Sequence, residues 1–128
     1  MINEYDAKQA HENANQLAID FDGVIHKNSK GFHDGTIYDE PMPGAIDAIK
    51  YLSEYYDIVV FSAKAKPDRP LVNGKTGEEL IWEWLGKYNL ISYIKEVTAE
   101  KPRAVAYIDD KAIHFTNWKT TLQTLDNK

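Results

Sequence analysis

The sequence predicts an α/β fold in which a doubly wound parallel sheet carries a ligand site at the carboxyl ends of its strands. Segments with apolar residues three and four positions apart, as in helices, alternate along the chain with short apolar runs. Strands are predicted at 17–22, 58–61, 93–97 and 105–108. The run at 58–61 has the length and β-rich content of a strand covered on both faces of a parallel sheet. Three of the four end in polar side chains of catalytic type.

The first half of the chain is predicted to contain a helix on either side of the first strand and the flap that follows it. Alanines at helical spacing predict a short helix over 4–15, ahead of the first strand. Turn-forming residues then predict a flap over about 24–42, either a hairpin or an irregular loop. From Pro43, placed in the first turn, the apolar pattern predicts a helix that buries one face; its residues are Ile46, Ile49, Leu52 and Tyr56.

The second half repeats the alternation. After the strand at 58–61 comes a loop over 63–76, which contains two prolines and a glycine. Thr76 and Glu79 have the spacing of a capping box, which predicts that a helix begins there. Asn117 is expected to cap a last helix that runs through Leu125.

Composition limits the classes of function. At 128 residues the chain is expected to form one domain, with no room for a separate substrate domain. The net charge of −5 and the lack of a basic cluster argue against an extended nucleic-acid-binding face. No cysteine, no signal segment and no membrane-length apolar stretch is present, so we expect a cytoplasmic protein.

Four of the acidic residues form two pairs, each at the end of an apolar run. Asp20 and Asp22 are two positions apart on the first strand, so their side chains are expected on the same side. Asp109 and Asp110 follow the last strand. Like charges held close together favour a cation between them, and hard oxygen ligands suit Mg²⁺. We interpret both pairs as one site.

A hydroxyl and an ammonium complete the candidate site. Ser62 ends the second strand, and Lys101 lies in the loop ahead of the last one. Carboxylates, a hydroxyl and an ammonium at one sheet edge suit a phosphate ester bridged by a divalent cation. Each residue also has an ordinary interpretation. Ser62 could simply cap the strand end, and Lys101 has rivals in Lys64, Lys66 and Lys95.

In this order and strand context, the residues resemble the four motifs of the haloacid dehalogenase superfamily of phosphatases, which has a Rossmann-like core. The resemblance covers 17–110 through Asp20-Phe21-Asp22-Gly23-Val24, Ser62, Lys101 and Asp109-Asp110. It implies that Asp20 is a nucleophile forming an aspartyl-phosphate and that Asp22 is the general acid and base. It also implies a Mg²⁺ held by the Asp20 side chain, the Asp22 carbonyl and Asp109, with Asp110 binding directly or through water.

The motif spacing indicates the type without a cap domain. Asp20 and Ser62 are 42 residues apart, Ser62 and Lys101 are 39 apart, and core elements fill both gaps. Residues 26–42 and 63–75, or a second subunit, would then have to cover the site. An open site admits small phosphate esters, nucleotides or a polynucleotide end, and Phe32 and Tyr38 are aromatic residues that could stack on a base.

Two alternatives come from other classes. A signalling receiver module also combines an acidic pair, a phosphoacceptor aspartate, a hydroxyl and a lysine on a parallel sheet. Its acidic pair lies on the first strand and its phosphoacceptor at mid-chain, whereas here Ser62 is at mid-chain and the adjacent pair comes late. The other alternative is a binding protein that keeps the fold without catalysis. The histidines, among them His26 and His33 in the flap, are expected to make ordinary hydrogen bonds.

Overall fold

A computed structural model describes residues 15–102, 104, 106–109 and 113–126. Its strands and helices, in chain order, are β1 Gln16–Asp20, α1 Ala45–Leu52, β2 Asp57–Phe61, α2 Gly77–Lys87, β3 Ile94–Thr98, β4 Ala106–Asp109, β5 Ile113–His114 and α3 Trp118–Asp126. The helix predicted over 4–15 falls, except for residue 15, outside the described residues. None of the described helices has the length and apolar character that crossing a bilayer requires.

The strands form one sheet in the order β3-β2-β1-β4-β5, and every pair of neighbours is parallel. The central strand is β1, whose Ile19 pairs with Val60 on one side and Ile108 on the other. This Rossmann-like arrangement confirms the predicted α/β class and the parallel sheet. The two-residue strand β5 was not predicted, because so short a segment has no periodicity to detect.

The core lies between the helices and one face of the sheet. Alternate residues of the central strands, such as Leu17, Ile19, Ile58 and Val60, are buried there, and all three described helices contribute to the same cluster. The helical members include Ile49 and Leu52 of α1, Ile81 and Leu85 of α2, and Trp118 and Leu125 of α3. Helices on the other face, which a doubly wound sheet requires, stay a prediction.

The predicted N-terminal caps of α2 and α3 are both present in the structure. The Thr76 hydroxyl accepts from the Glu79 N–H at 3.1 Å and the Glu79 carboxylate accepts from the Thr76 N–H at 3.0 Å, which confirms the capping box. Asn117 caps α3 by accepting from the Thr120 N–H at 2.8 Å, also as predicted.

The limits predicted for α1 are wrong at both ends. The helix begins at Ala45, so Pro43 precedes the first turn instead of lying in it, and Gly44 takes the left-handed conformation at φ 84°. At the other end the N–H groups of Tyr55 and Tyr56 both bond to the Leu52 carbonyl. This turn stops the helix at Leu52 and leaves Tyr56 outside it.

The flap over 24–42 is irregular. Its two ends meet through one isolated antiparallel bridge between His26 and Pro41, in place of a hairpin ladder. Within it, the Asp39 carboxylate accepts from both the backbone N–H and the hydroxyl of Ser29. These hydrogen bonds from Ser29, together with the Glu40 N–H, lower the pKa of Asp39 to about 2 from 3.8.

We expect the Asp39 contacts to stabilise the folded state above pH 4 and to lose this effect as the pH falls to about 2. The folded-state pKa of Asp39 lies below its unfolded value, so the stabilisation is present above the unfolded pKa of 3.8. In urea unfolding, Asp39→Asn should therefore lower the midpoint at pH 7, and its difference from the wild type should shrink toward pH 2. Asp68→Asn, at an exposed site, is the control and should show little difference. A difference that persists undiminished at pH 2 would contradict this account.

Candidate functional site

Three of the predicted site residues meet at one sheet edge. Asp20 ends β1 and pairs with Phe61, the last residue of β2, so Ser62 follows directly beside it. On the other side Ile19 pairs with Ile108, which places the backbone of Asp109 next to Asp20. The carboxyl ends of β1, β2 and β4 therefore carry Asp20, Ser62 and Asp109. Asp110 lies outside the described residues, and the chemical roles of these residues stay predictions.

Lys101 lies over the same end of the sheet. Its Nζ is 5.7 Å from the ring centroid of Phe61 and 5.3 Å from that of Tyr107. Phe61 pairs with Asp20 and Tyr107 pairs with Ala18, so both rings lie on the face to which Asp20 belongs. Two aromatic rings from the strands that flank β1 thus hold an ammonium on the Asp20 side.

Asp22, just beyond β1, accepts hydrogen bonds from two basic side chains. Its Oδ1 accepts hydrogen bonds from Lys64 Nζ at 3.1 Å and from His26 Nδ1 at 2.9 Å. Its Oδ2 is 3.4 Å from the Ser62 hydroxyl, a long contact. The sequence predicts a cation beside the paired acids. For the Asp22 side chain, the ammonium of Lys64 is such a cation.

The surroundings of Asp22 favour its ionised form. Burial raises the pKa of this carboxyl, but the hydrogen bond from His26 and the charge and hydrogen bond of Lys64 outweigh burial. The net effect lowers the pKa below 3.8. Asp22 is therefore a carboxylate at neutral pH, ready to accept a proton.

Ser62 has the capping role that was its ordinary interpretation. It is buried, and its hydroxyl accepts from the Lys64 N–H at 3.2 Å. This hydrogen bond caps the short 3₁₀ helix Ala63–Ala65. The same hydroxyl makes the long contact to Asp22. Ser62 thereby sets the start of the turn that delivers Lys64 to Asp22, and phosphate binding by Ser62 stays a prediction.

The close approach of α2 holds Lys64 in place. Lys64 is only 8% exposed, and a Cβ built on Gly77, the first residue of α2, would lie 1.6 Å from the Lys64 carbonyl oxygen. A glycine is therefore required at the start of α2. From the sequence, Lys64 is a rival of Lys101 for phosphate and is expected near the site, two residues beyond Ser62, but its pairing with Asp22 was missed.

His26 is a functional candidate that sequence reasoning also missed. Its side chain is completely buried and bonds Asp22 through Nδ1, while its Nε2 accepts the Asp39 backbone N–H at 3.0 Å. The signal in the sequence was the spacing of four residues between Asp22 and His26, across Gly23. A turn at that point, with Gly23 at φ +83°, brings the two side chains together.

The donor set suits the predicted Mg²⁺ in its chemistry. Asp20 and Asp109 end neighbouring strands, and carboxylates are hard ligands of the kind that Mg²⁺ prefers. The Asp22 side chain is bound by Lys64 and His26, which agrees with this residue contributing only its backbone carbonyl. Among the described side chains, no group of three or more His, Asp or Glu could by itself hold a metal.

A cavity adjoins the site between the flap, the loop after β2 and α2. Phe32 and Arg69 line it, the guanidinium carbon lying 5.3 Å from the centroid of the Phe32 ring, and Lys64 lines it as well. The rest of the lining is mainly apolar: Ile37, Pro70, Val72 and Leu80. Tyr38, by contrast, is held inside the flap, since its hydroxyl donates to the Gly31 carbonyl at 2.8 Å.

No family model, curated protein or solved structure matches this chain.

Replacing Gly77 with Ala should destabilise the protein. An alanine is ordinarily better than glycine in a helix by about 1 kcal/mol, but here its methyl group would collide with the Lys64 carbonyl. We expect a loss of about 1–3 kcal/mol in the free energy of unfolding, measured by urea titration. Glu78→Ala, at the exposed next position, should stay within about 0.5 kcal/mol of the wild type. An alanine variant of Gly77 as stable as the wild type would contradict the close approach.

Proposed function

We propose that this protein is a Mg²⁺-dependent phosphatase of the haloacid dehalogenase type, which hydrolyses a phosphate monoester through an aspartyl-phosphate. One observation carries the proposal. Asp20, Ser62 and Asp109 end three adjacent parallel strands, with the Lys101 ammonium on the Asp20 side of the sheet. In open α/β sheets this edge is where ligands bind.

In the first step a carboxylate oxygen of Asp20 attacks phosphorus, and the bond from phosphorus to the leaving oxygen breaks. Lys101 and the Ser62 hydroxyl would bind phosphoryl oxygens during this step. Asp22 hands a proton to the leaving oxygen. Because Asp22 is ionised beforehand, that proton enters with the substrate, since phosphate monoesters retain one proton below a second pKa of about 6.

In the second step a water molecule attacks the phosphorus of the aspartyl-phosphate. Asp22 accepts a proton from this water, the acyl phosphate bond breaks, and inorganic phosphate leaves with Asp20 restored as a carboxylate. Asp22 then releases its proton to the departing phosphate or to solvent and is ionised again. The lowered pKa of Asp22 keeps this side chain ionised between turnovers. Mg²⁺, held by Asp20, Asp109, Asp110 and the Asp22 carbonyl, would neutralise negative charge on the acids and the phosphoryl group.

The cavity beside Lys64 supports a substrate that carries a flat ring, such as a nucleotide or a polynucleotide end. Phe32 offers an exposed ring, and Arg69 offers a positive charge for an anionic substrate. Tyr38, bound within the flap, does not share this role. The flap and the 63–75 loop flank this opening and would do the work of a cap, or a second copy of the chain would cover it. We place the activity in the cytoplasm, in keeping with the absence of cysteine.

The receiver-module alternative is less consistent with the fold. Receivers have the flavodoxin-like strand order 2-1-3-4-5. The order here is 3-2-1-4-5, so the strand that ends in Ser62 lies between β1 and β3. A phosphorylated Asp20 that persists for hours would nonetheless favour a receiver, because Asp22 should promote rapid hydrolysis. A binding protein without catalysis would show no turnover at all.

Asp20→Asn should abolish the hydrolysis of an aryl phosphate in the presence of Mg²⁺, because the amide cannot serve as the nucleophile. A chelator should abolish the activity of the wild type in the same assay. The matched control is Asp57→Asn, since Asp57 begins β2 at the opposite edge of the sheet and is exposed. Turnover that survives in Asp20→Asn would remove the proposed mechanism.

Phe32→Ala should discriminate between substrates. For nucleoside monophosphates we expect KM to rise about 5- to 50-fold, given that stacking on an aromatic ring contributes about 1–3 kcal/mol per base. KM for a small sugar phosphate should change little. Tyr55→Ala removes a comparably exposed ring far from the cavity and should leave both substrates unaffected. An equal effect of Phe32→Ala on both substrates would exclude the stacking role.

A further inference from the structure

The buried imidazole of His26 connects the flap to Asp22. It is fully buried, and each ring nitrogen has one hydrogen-bond partner. Nδ1 meets Asp22 Oδ1 at 2.9 Å, and Nε2 meets the Asp39 backbone nitrogen at 3.0 Å. His26 thus links a catalytic carboxylate directly to the backbone of Asp39, in the second half of the flap.

The partners determine where the proton lies on the ring. A backbone N–H can only donate, so Nε2 must be the unprotonated acceptor of the Asp39 N–H. The remaining ring proton is then on Nδ1, which donates to the Asp22 carboxylate. His26 is therefore held as the neutral tautomer with the proton on Nδ1.

Aromatic packing fixes the orientation of the ring. Phe21 stacks on it with the two planes 13° apart, and Trp84 and Tyr38 pack edge-on at centroid distances of 5.7 and 5.4 Å. The Asp39 peptide is itself held at both ends, because its carbonyl accepts from Trp84 Nε1 at 2.9 Å. Rotation of the imidazole would break two hydrogen bonds and three ring contacts.

The two oxygens of Asp22 are consequently unequal. Oδ1 accepts from both His26 and Lys64, whereas among the described residues Oδ2 has only the 3.4 Å contact with the Ser62 hydroxyl. We infer that His26 is a positioning residue that locks Asp22 through Oδ1 and leaves Oδ2 as the oxygen that exchanges protons with the substrate and with water. This inference rests on the proposed phosphatase function. The ammonium of Lys64 can donate in three directions and does not by itself fix the rotation of the carboxylate, whereas the Nδ1–H of the packed imidazole donates in one direction and does.

Two variants at position 26 separate positioning from packing. His26→Phe keeps an aromatic ring packed among its neighbouring rings and removes both hydrogen bonds. His26→Asn can keep a donor near the position of Nδ1. On an aryl phosphate we expect His26→Phe to lower kcat about 100-fold, the usual scale for a misplaced group, with KM within about twofold of the wild type. His26→Asn should recover most of kcat. The exposed His33→Asn is the matched control and should behave as wild type.

A double variant tests that His26 acts through Asp22. In an Asp22→Asn background, adding His26→Phe should not reduce kcat further, since the two residues act as a unit. A further reduction of about 100-fold would overturn the inference, as would a wild-type kcat in His26→Phe alone. If His26→Phe does not fold, which circular dichroism would reveal, the Asn variant decides: a kcat near the wild type supports positioning, and a loss equal to that of Asp22→Asn overturns it.

Nuclear magnetic resonance tests the geometry without any activity. In the ¹⁵N-labelled wild type at neutral pH, the imidazole of His26 should show a protonated Nδ1 and an unprotonated Nε2, with the signal assigned by its loss in His26→Asn. Asp22→Asn should shift the Nδ1 resonance, and His33→Asn should not. A protonated Nε2 would overturn the inference even if the enzyme is active. The expected tautomer in a protein without phosphatase activity would instead show that the proposed function is the part that fails.

Discussion

The site depends on one constraint, the cost of placing the Asp22 carboxylate at the end of the most buried strand. A partly buried charge is unfavourable unless donors surround it. Lys64 donates a hydrogen bond to Asp22 at 3.1 Å, and His26 donates one at 2.9 Å. Lys64 belongs to the loop after β2, whereas His26 belongs to the flap. Removing either donor would leave a charge with an incomplete shell, so the loop after β2 and the flap are both tied to this one group.

The acids at this sheet edge differ in the roles proposed for them. Asp20 and Asp109 end β1 and β4, and the proposed Mg²⁺ would be held there. Asp22, whose side chain accepts from an ammonium and an imidazole, is the proposed proton-transfer group. The proposed proton-transfer group and the proposed metal ligands would then be different residues' side chains at one sheet edge.

Prediction succeeded where the signal was local. The capping box at Thr76 and the Asn117 cap involve residues three apart, and β1, β2 and β4 lie in compact apolar runs. It failed at the ends of α1, because the turn after Leu52 is formed by backbone bonds that apolar spacing does not report. It also missed β5, whose two residues are a strand only because β4 lies beside them.

The sequence by itself determined the parallel α/β class and the set of polar residues at the strand ends, since both follow from patterns within a few residues of each other. Only the tertiary structure decided which lysine pairs with Asp22 and which nitrogen of His26 carries the proton. Lys64 lies 42 positions from Asp22, and its place depends on the contact between its carbonyl and Gly77. The His26 proton depends on a peptide 13 residues away. Such contacts arise from the packing of separate elements, which leaves no periodic pattern in the chain.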